Sequence, residues 1–251
     1  MTHLRSLGGI AAFCALAIWA AGAAQAASIS YFLDQSNDTT GNLPDGTNYL
    51  QVTIDNDGAP GLINFTWTIL SPLTSIADSN FGLQSVGFNV VTPGPAATIL
   101  VGDVVNLNAP VPPWSVAVDL DNLNQDGFGM FDVTVGDTGM ARISPTLTFS
   151  VDLGGDQSST DDILDYIAAS AGNAGQGNEF FVAHVAGFFD QNPLDPVEGC
   201  QDLGEGNLTP ECNVLTSAWF GGSTVVPVPA AVWLFGSALG LLGWIRRRQT
   251  S

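Results

Sequence analysis

The run Asn122-Leu123-Asn124-Gln125-Asp126-Gly127 sets oxygen-bearing side chains at positions one, three and five and a glycine at six, the opening half of a calcium loop. Asn122, Asn124 and Asp126 would each offer the ion a hard oxygen. The twelfth position, where an acid is expected, is Val133, and Asp132 falls one residue short. The spacing therefore describes a weak Ca2+ site at most. A polar hairpin bending at Asp126-Gly127 accounts for the same residues, and both readings stand at this point.

Other chemistry is narrowed by inventory. Between Ala27 and Val225 there is one histidine, His184, and one arginine, Arg142, and the chain has no lysine. That excludes a histidine-based zinc site, a Ser-His-Asp triad, a lysine nucleophile and a basic clamp for phosphate. His184 alternates with Phe180, Val182, Ala186 and Phe188, which predicts a core histidine on their face of a strand. Two carboxylates roughly 5–10 Å apart would suffice for glycoside hydrolysis. Glu179, just ahead of an apolar strand, is the acid most open to desolvation, but no second acid is singled out as its partner. The expectation is no enzyme, no catalytic residue and no organic cofactor. Aromatic rings stack on sugars. Trp114, following Pro112 and Pro113, is the candidate platform for a carbohydrate-binding module; Trp67 reads as core, and Trp219 fits either role.

All 24 acidic residues lie between Asp34 and Glu211, where Arg142 is the single cation, so this body carries a formal charge of −23. Such a surface repels nucleic acid and anionic lipid. It attracts cations, so the acidity serves either solubility or diffuse divalent binding that links the protein to acidic polysaccharide.

The elements that must position these groups are strands. Ile63, Phe65, Trp67 and Ile69 alternate with polar residues at a period of two. Shorter runs of the same kind are Ile29 to Leu33, Tyr49 to Ile54, Leu83 to Val91, Val101 to Leu107, Trp114 to Leu120, Met130 to Val135, Thr146 to Val151, Phe180 to Phe188 and Thr216 to Phe220. Turn signals separate them, as at Asp55-Asn56-Asp57-Gly58 and Asp126-Gly127. About ten short strands so spaced predict an all-β, antiparallel, jelly-roll-like β-sandwich. One short helix is expected over Asp161 to Ala169, capped by Ser159 or Thr160, with Ile163, Leu164 and Ile167 sealing one end of the sandwich.

Both termini read as trafficking segments. Residues 1–26 form a secretory signal peptide, with Arg5 as its positive region, Leu7 to Ala21 as its apolar core and Ala24-Gln25-Ala26 as the small-x-small cleavage site. Residues 27–220 are then the exported domain, 221–226 a linker, and 227–251 a membrane tether. From Val228 to Ile245 there is no charge over about 18 residues, which as a helix covers ~27 Å of bilayer. Arg246, Arg247 and Arg248 behind it favour the cytoplasmic side and direct the acidic domain outward. Export also suits Cys200 and Cys212, the two cysteines beyond the signal peptide, which an oxidising periplasm allows to close a disulfide loop. A reactive thiol is the other reading, but Asp202 beside Cys200 would raise its pKa rather than lower it.

The residues Val226-Pro227-Val228-Pro229-Ala230, the apolar run and the arginine cluster resemble a PEP-CTERM sorting signal. The central glutamate of that motif is replaced here by Val228. The resemblance covers about 25 residues and implies recognition and cleavage by an exosortase, a membrane cysteine transpeptidase of Gram-negative bacteria. The body is similar to uncharacterised exported PEP-CTERM proteins in Leu50 to Ile54, Phe81 to Asn89 and Ala183 to Phe188, which implies a shared exported β-domain and transfers no catalytic residue. Together these readings predict a non-enzymatic protein of the envelope or extracellular matrix, associated with exopolysaccharide. The rivals are a sugar-binding module, calcium-assisted or not, and a carboxylate glycosidase.

Overall fold

A computed structural model describes residues 28–39, 41–56, 61–109, 113–137, 139, 141–154, 161–188 and 217–225. The signal peptide with Ala24 and Ala26, the cysteines Cys200 and Cys212, the caps Ser159 and Thr160, and the sorting residues from Val226 to Arg248 lie outside them. Among the described residues no helix is long and apolar enough to cross a membrane.

Alternation of apolar and polar residues makes the strands. They are β1 (Ser28–Leu33), β2 (Gln35–Ser36), β3 (Leu50–Asp55), β4 (Leu62–Ile69), β5 (Ala77–Phe88), β6 (Val104–Val105), β7 (Trp114–Gln125), β8 (Gly129–Asp137), β9 (Thr146–Asp152), β10 (Phe181–Phe188), β11 (Ser217–Gly222) and β12 (Thr224–Val225). They form two six-stranded sheets, ordered β12-β1-β3-β4-β9-β6 and β2-β11-β10-β5-β8-β7, with every pairing antiparallel. This is an all-β sandwich. Among the described strands, eight of the eleven successive connections cross from one sheet to the other, while β3 with β4, β7 with β8, and β10 with β11 pair inside one sheet.

On β4, Ile63, Phe65, Trp67 and Ile69 are buried, as their period predicts. Phe65 stacks on Phe149 of its own sheet at 5.0 Å and reaches across the layers to Phe88 at 4.8 Å, while Trp67 meets Phe181 edge-on at 5.8 Å. Each such ring removes some 150–250 Å² from water, so this aromatic seam holds the sheets together.

Helical segments are short. Helix α1 (Ser71–Thr74) has a proline in its first turn and was not signalled by periodicity. The expected strand Val101 to Leu107 begins as a 3-10 turn, Val101–Asp103, because the Asp103 carboxylate accepts the Leu100 N–H at 2.8 Å. The expected helix over Asp161 to Ala169 is reduced to a 3-10 turn, Ile163–Tyr166, capped by Asp162. Asp162 Oδ1 accepts the Ile163 N–H at 2.6 Å, and Asp165 returns an oxygen to the Asp162 N–H at 2.9 Å. Ile163 and Tyr166 face the core and Ile167 packs beside them, but Leu164 points to solvent at 60% exposure and seals nothing.

Candidate functional site

The β7–β8 hairpin carries the candidate calcium residues. Asn122 and Asn124 lie exposed on β7, and Asp126 stands in the turn, where its carboxylate accepts the Asn37 Nδ2–H at 3.1 Å. Asp132 sits inside β8, 2% exposed. Both its oxygens are engaged by backbone: Oδ2 takes the Val90 N–H at 2.8 Å and Oδ1 the Asp121 N–H at 2.6 Å. Burial raises its pKa against the pull of those two hydrogen bonds. Asp132 is therefore a pin for a bulge, since β7 loses register with β8 between Val118 and Leu123 and Asp121 adopts a φ of +55° there. Among the described residues no three of His, Cys, Asp and Glu are grouped to hold a metal ion.

The remaining candidates also move. Trp114 opens β7 with 1% exposure and is core, so it offers no sugar platform. Trp67 is core as expected. Glu179 is buried at 5% exposure, with one oxygen accepting the Gln35 Nε2–H at 2.8 Å and the other without a hydrogen-bond partner.

His184 departs from its predicted face. Phe181, Ala183, Val185 and Phe188 point into the main core, and the register shift at Ala186/Phe188 returns Phe188 to that side. Gly187, at a φ of +81°, absorbs this shift. His184 stands instead on the outer face of the second sheet, half-buried, stacked on Trp219 with ring centroids 4.7 Å apart and planes 16° from parallel. Strand register sets its neighbours. His184 pairs with Ser85 on one side of β5, and Ile143 bridges Leu83 on the other, bringing Arg142 to the same stretch of β5. Burial, helped by the Arg142 charge and opposed by Asp126, pushes the His184 pKa down to about 4, so the imidazole is neutral at neutral pH. Arg142 Nη1 donates to the Asn80 carbonyl at 3.1 Å, while its Nε is buried without an acceptor.

Behind Trp219 lies a second small core of Phe128, Phe131 and Val182. Gly221 leaves room there for the Phe128 ring, which any Cβ would overlap. The segment from Ser170 to Glu179 covers this patch: Ser170 Oγ donates to the Phe128 carbonyl at 2.6 Å, and Ala171 exchanges backbone bonds with Met130 at 2.9 Å.

Sequence reasoning missed two features. The Trp219–His184 stack needs the β10–β11 register, although both residues stand in recognisable strands. The Asp161–Tyr166 pair, five positions apart, was legible only as part of a helix; Tyr166 Oη donates to Asp161 Oδ2 at 2.7 Å, both groups buried. What the arrangement offers chemically is a neutral, half-buried aromatic pair beside a guanidinium, on a molecule otherwise anionic. Comparison with family models, curated proteins and solved structures returned no match to this chain.

Proposed function

We propose that this chain is an exported, non-enzymatic structural or interaction protein of a bacterial envelope matrix, tethered by its C-terminal apolar segment and processed there by an exosortase-type transpeptidase. The observation that carries the reading is the tail: Val226-Pro227-Val228-Pro229-Ala230, an uncharged span and Arg246 to Arg248 follow an acidic body. The buried carboxylates fit a structural role. Asp132 pins a bulge, Asp161 receives Tyr166 and Glu179 receives Gln35, each serving a local contact rather than facing another acid across a cleft. Export would place Cys200 and Cys212 where they close a disulfide.

The test is fractionation with intact mass. Protein isolated from its host is expected in the envelope or medium as a species beginning near Ala27 and ending before Ala231, and neutralising Arg246, Arg247 and Arg248 should cause its mislocalisation. An unprocessed species in the cytosol would overturn the proposal, as would unchanged sorting of the neutral variant.

One observation favours a second reading, carbohydrate binding. The Trp219–His184 stack beside Arg142 combines aromatic surface, a neutral imidazole and a cation, groups suited to a sugar ring and its hydroxyl or carboxylate substituents. It replaces Trp114 as the platform.

A further inference from the structure

Three of the four sheet edges end in strands of two residues: β12 and β6 in the first sheet, β2 in the second. The fourth edge is β7, twelve residues long. Among the described residues, no backbone hydrogen bond outside the sheet ladders reaches Trp114–Val118, and Ser115 and Ala117 are exposed. An open edge of this length is a template for another strand, and proteins ordinarily blunt it with charge. Here the stretch Trp114-Ser115-Val116-Ala117-Val118 carries none, in a chain with 24 acidic residues. Apolar side chains flank it. Leu120, in the β7 bulge, is 42% exposed, and Leu100 and Val101, at the 3-10 turn packed against β7, are 67% and 52% exposed.

We propose that β7 is the interface for a second copy of this chain, the two edges pairing antiparallel through Trp114–Val118. The register follows from the faces. Trp114, Val116 and Val118 turn toward the core, while Ser115 and Ala117 are exposed on the other side. Pairing centred on Val116 sets Trp114 against Val118 and Ser115 against Ala117, keeping like faces together; a slip of one residue would break this match. The bulge at Asp119–Asn122 ends the ladder, and in an antiparallel pair the two bulges, with their Asp119 and Asp121 carboxylates, stand at opposite ends rather than against each other. Only one long edge exists per copy in the described structure, so the contact is self-complementary and closes as a dimer instead of growing into a fibre.

Charge regulates the association. Each body carries −23, so repulsion opposes the pairing at low ionic strength and is screened as salt rises. This interface does not depend on the sorting proposal, since it is a property of the folded domain wherever the chain resides.

The experiment is sedimentation velocity on the full chain in neutral detergent at about 0.1 mM, a concentration suited to a small interface. The expected result is a monomer at low salt converting to a dimer at high salt. Ala117→Asp and, separately, Ser115→Asp put a carboxylate into the charge-free run at exposed positions, and each should weaken dimerisation by at least about tenfold while leaving thermal unfolding of the monomer unchanged. A chain monomeric at every salt concentration, a dimer of equal strength in both variants, or assembly beyond the dimer would each overturn the proposal.

Discussion

Asp161→Asn should flatten part of the pH dependence of stability. Asp161 is 6% exposed, accepts the Tyr166 hydroxyl on Oδ2 at 2.7 Å, and leaves Oδ1 without a hydrogen-bond partner. Burial, resisted by the Tyr166 hydrogen bond and aided by the Asp165 charge, raises its pKa from 3.8 to about 6. Because the folded state holds the proton more tightly than the unfolded state, the benefit is complete below pH ~4 and is lost as pH climbs through about 6. The full span is worth at most about 3 kcal/mol, which in a domain of this size is roughly 6–12 °C in Tm. Asparagine keeps an oxygen for Tyr166 and cannot ionise. Relative to wild type, the variant should therefore gain stability progressively between pH 4 and pH 7, measured as the urea midpoint at constant ionic strength. The difference between the two proteins isolates this site from the anionic surface, whose self-repulsion also grows with pH in both. Parallel profiles would refute the reasoning and mean that Asp161 ionises in the native state without penalty.

Gly222→Ala should destabilise the domain by about 1–3 kcal/mol or more, since the added Cβ would overlap the Phe32 carbonyl and the Leu33 backbone, neither of which can rotate away; chemical denaturation checks this. Trp219→Ala should abolish any signal the wild type gives on a glycan array while far-ultraviolet circular dichroism retains the β spectrum. A glycan signal that survives the substitution would remove the Trp219–His184 surface from consideration.

Strand positions were legible because one residue in two had to face the core. Ile63 to Ile69 alternates without a break and appears as β4, and each of the ten expected runs contains a strand, although the Val101 run keeps only Val104–Val105 and the Leu83 run ends as strand at Phe88. Pairing between strands was not legible, because period-two alternation says which face a residue takes and nothing about its neighbour across the ladder. His184 fails for a sharper reason. Its alternation with Phe188 is real in the sequence, but Gly187 at positive φ inserts a bulge, and one extra residue exchanges the two faces.

The same limit explains the acids. Twenty-four carboxylates in one sequence are indistinguishable by spacing, and the chelating pattern from Asn122 to Asp132 depends on a turn curling its oxygens inward. In the fold that segment is the end of β7, the turn and the start of β8, and Asp132 is drawn under the strand by two backbone N–H groups that the β7 bulge and the end of β5 leave without ladder partners. A buried N–H without an acceptor costs about 1–3 kcal/mol, and one carboxylate supplying two of them offsets part of its own burial. The position of Asp132 thus follows from the bulge, and the bulge from the four-residue excursion Asp119–Asn122 that also terminates the open edge. Carboxylate and edge strand are consequences of one irregularity, which is why relocating the bulge would disturb the fold of β8 and the self-pairing surface of β7 together.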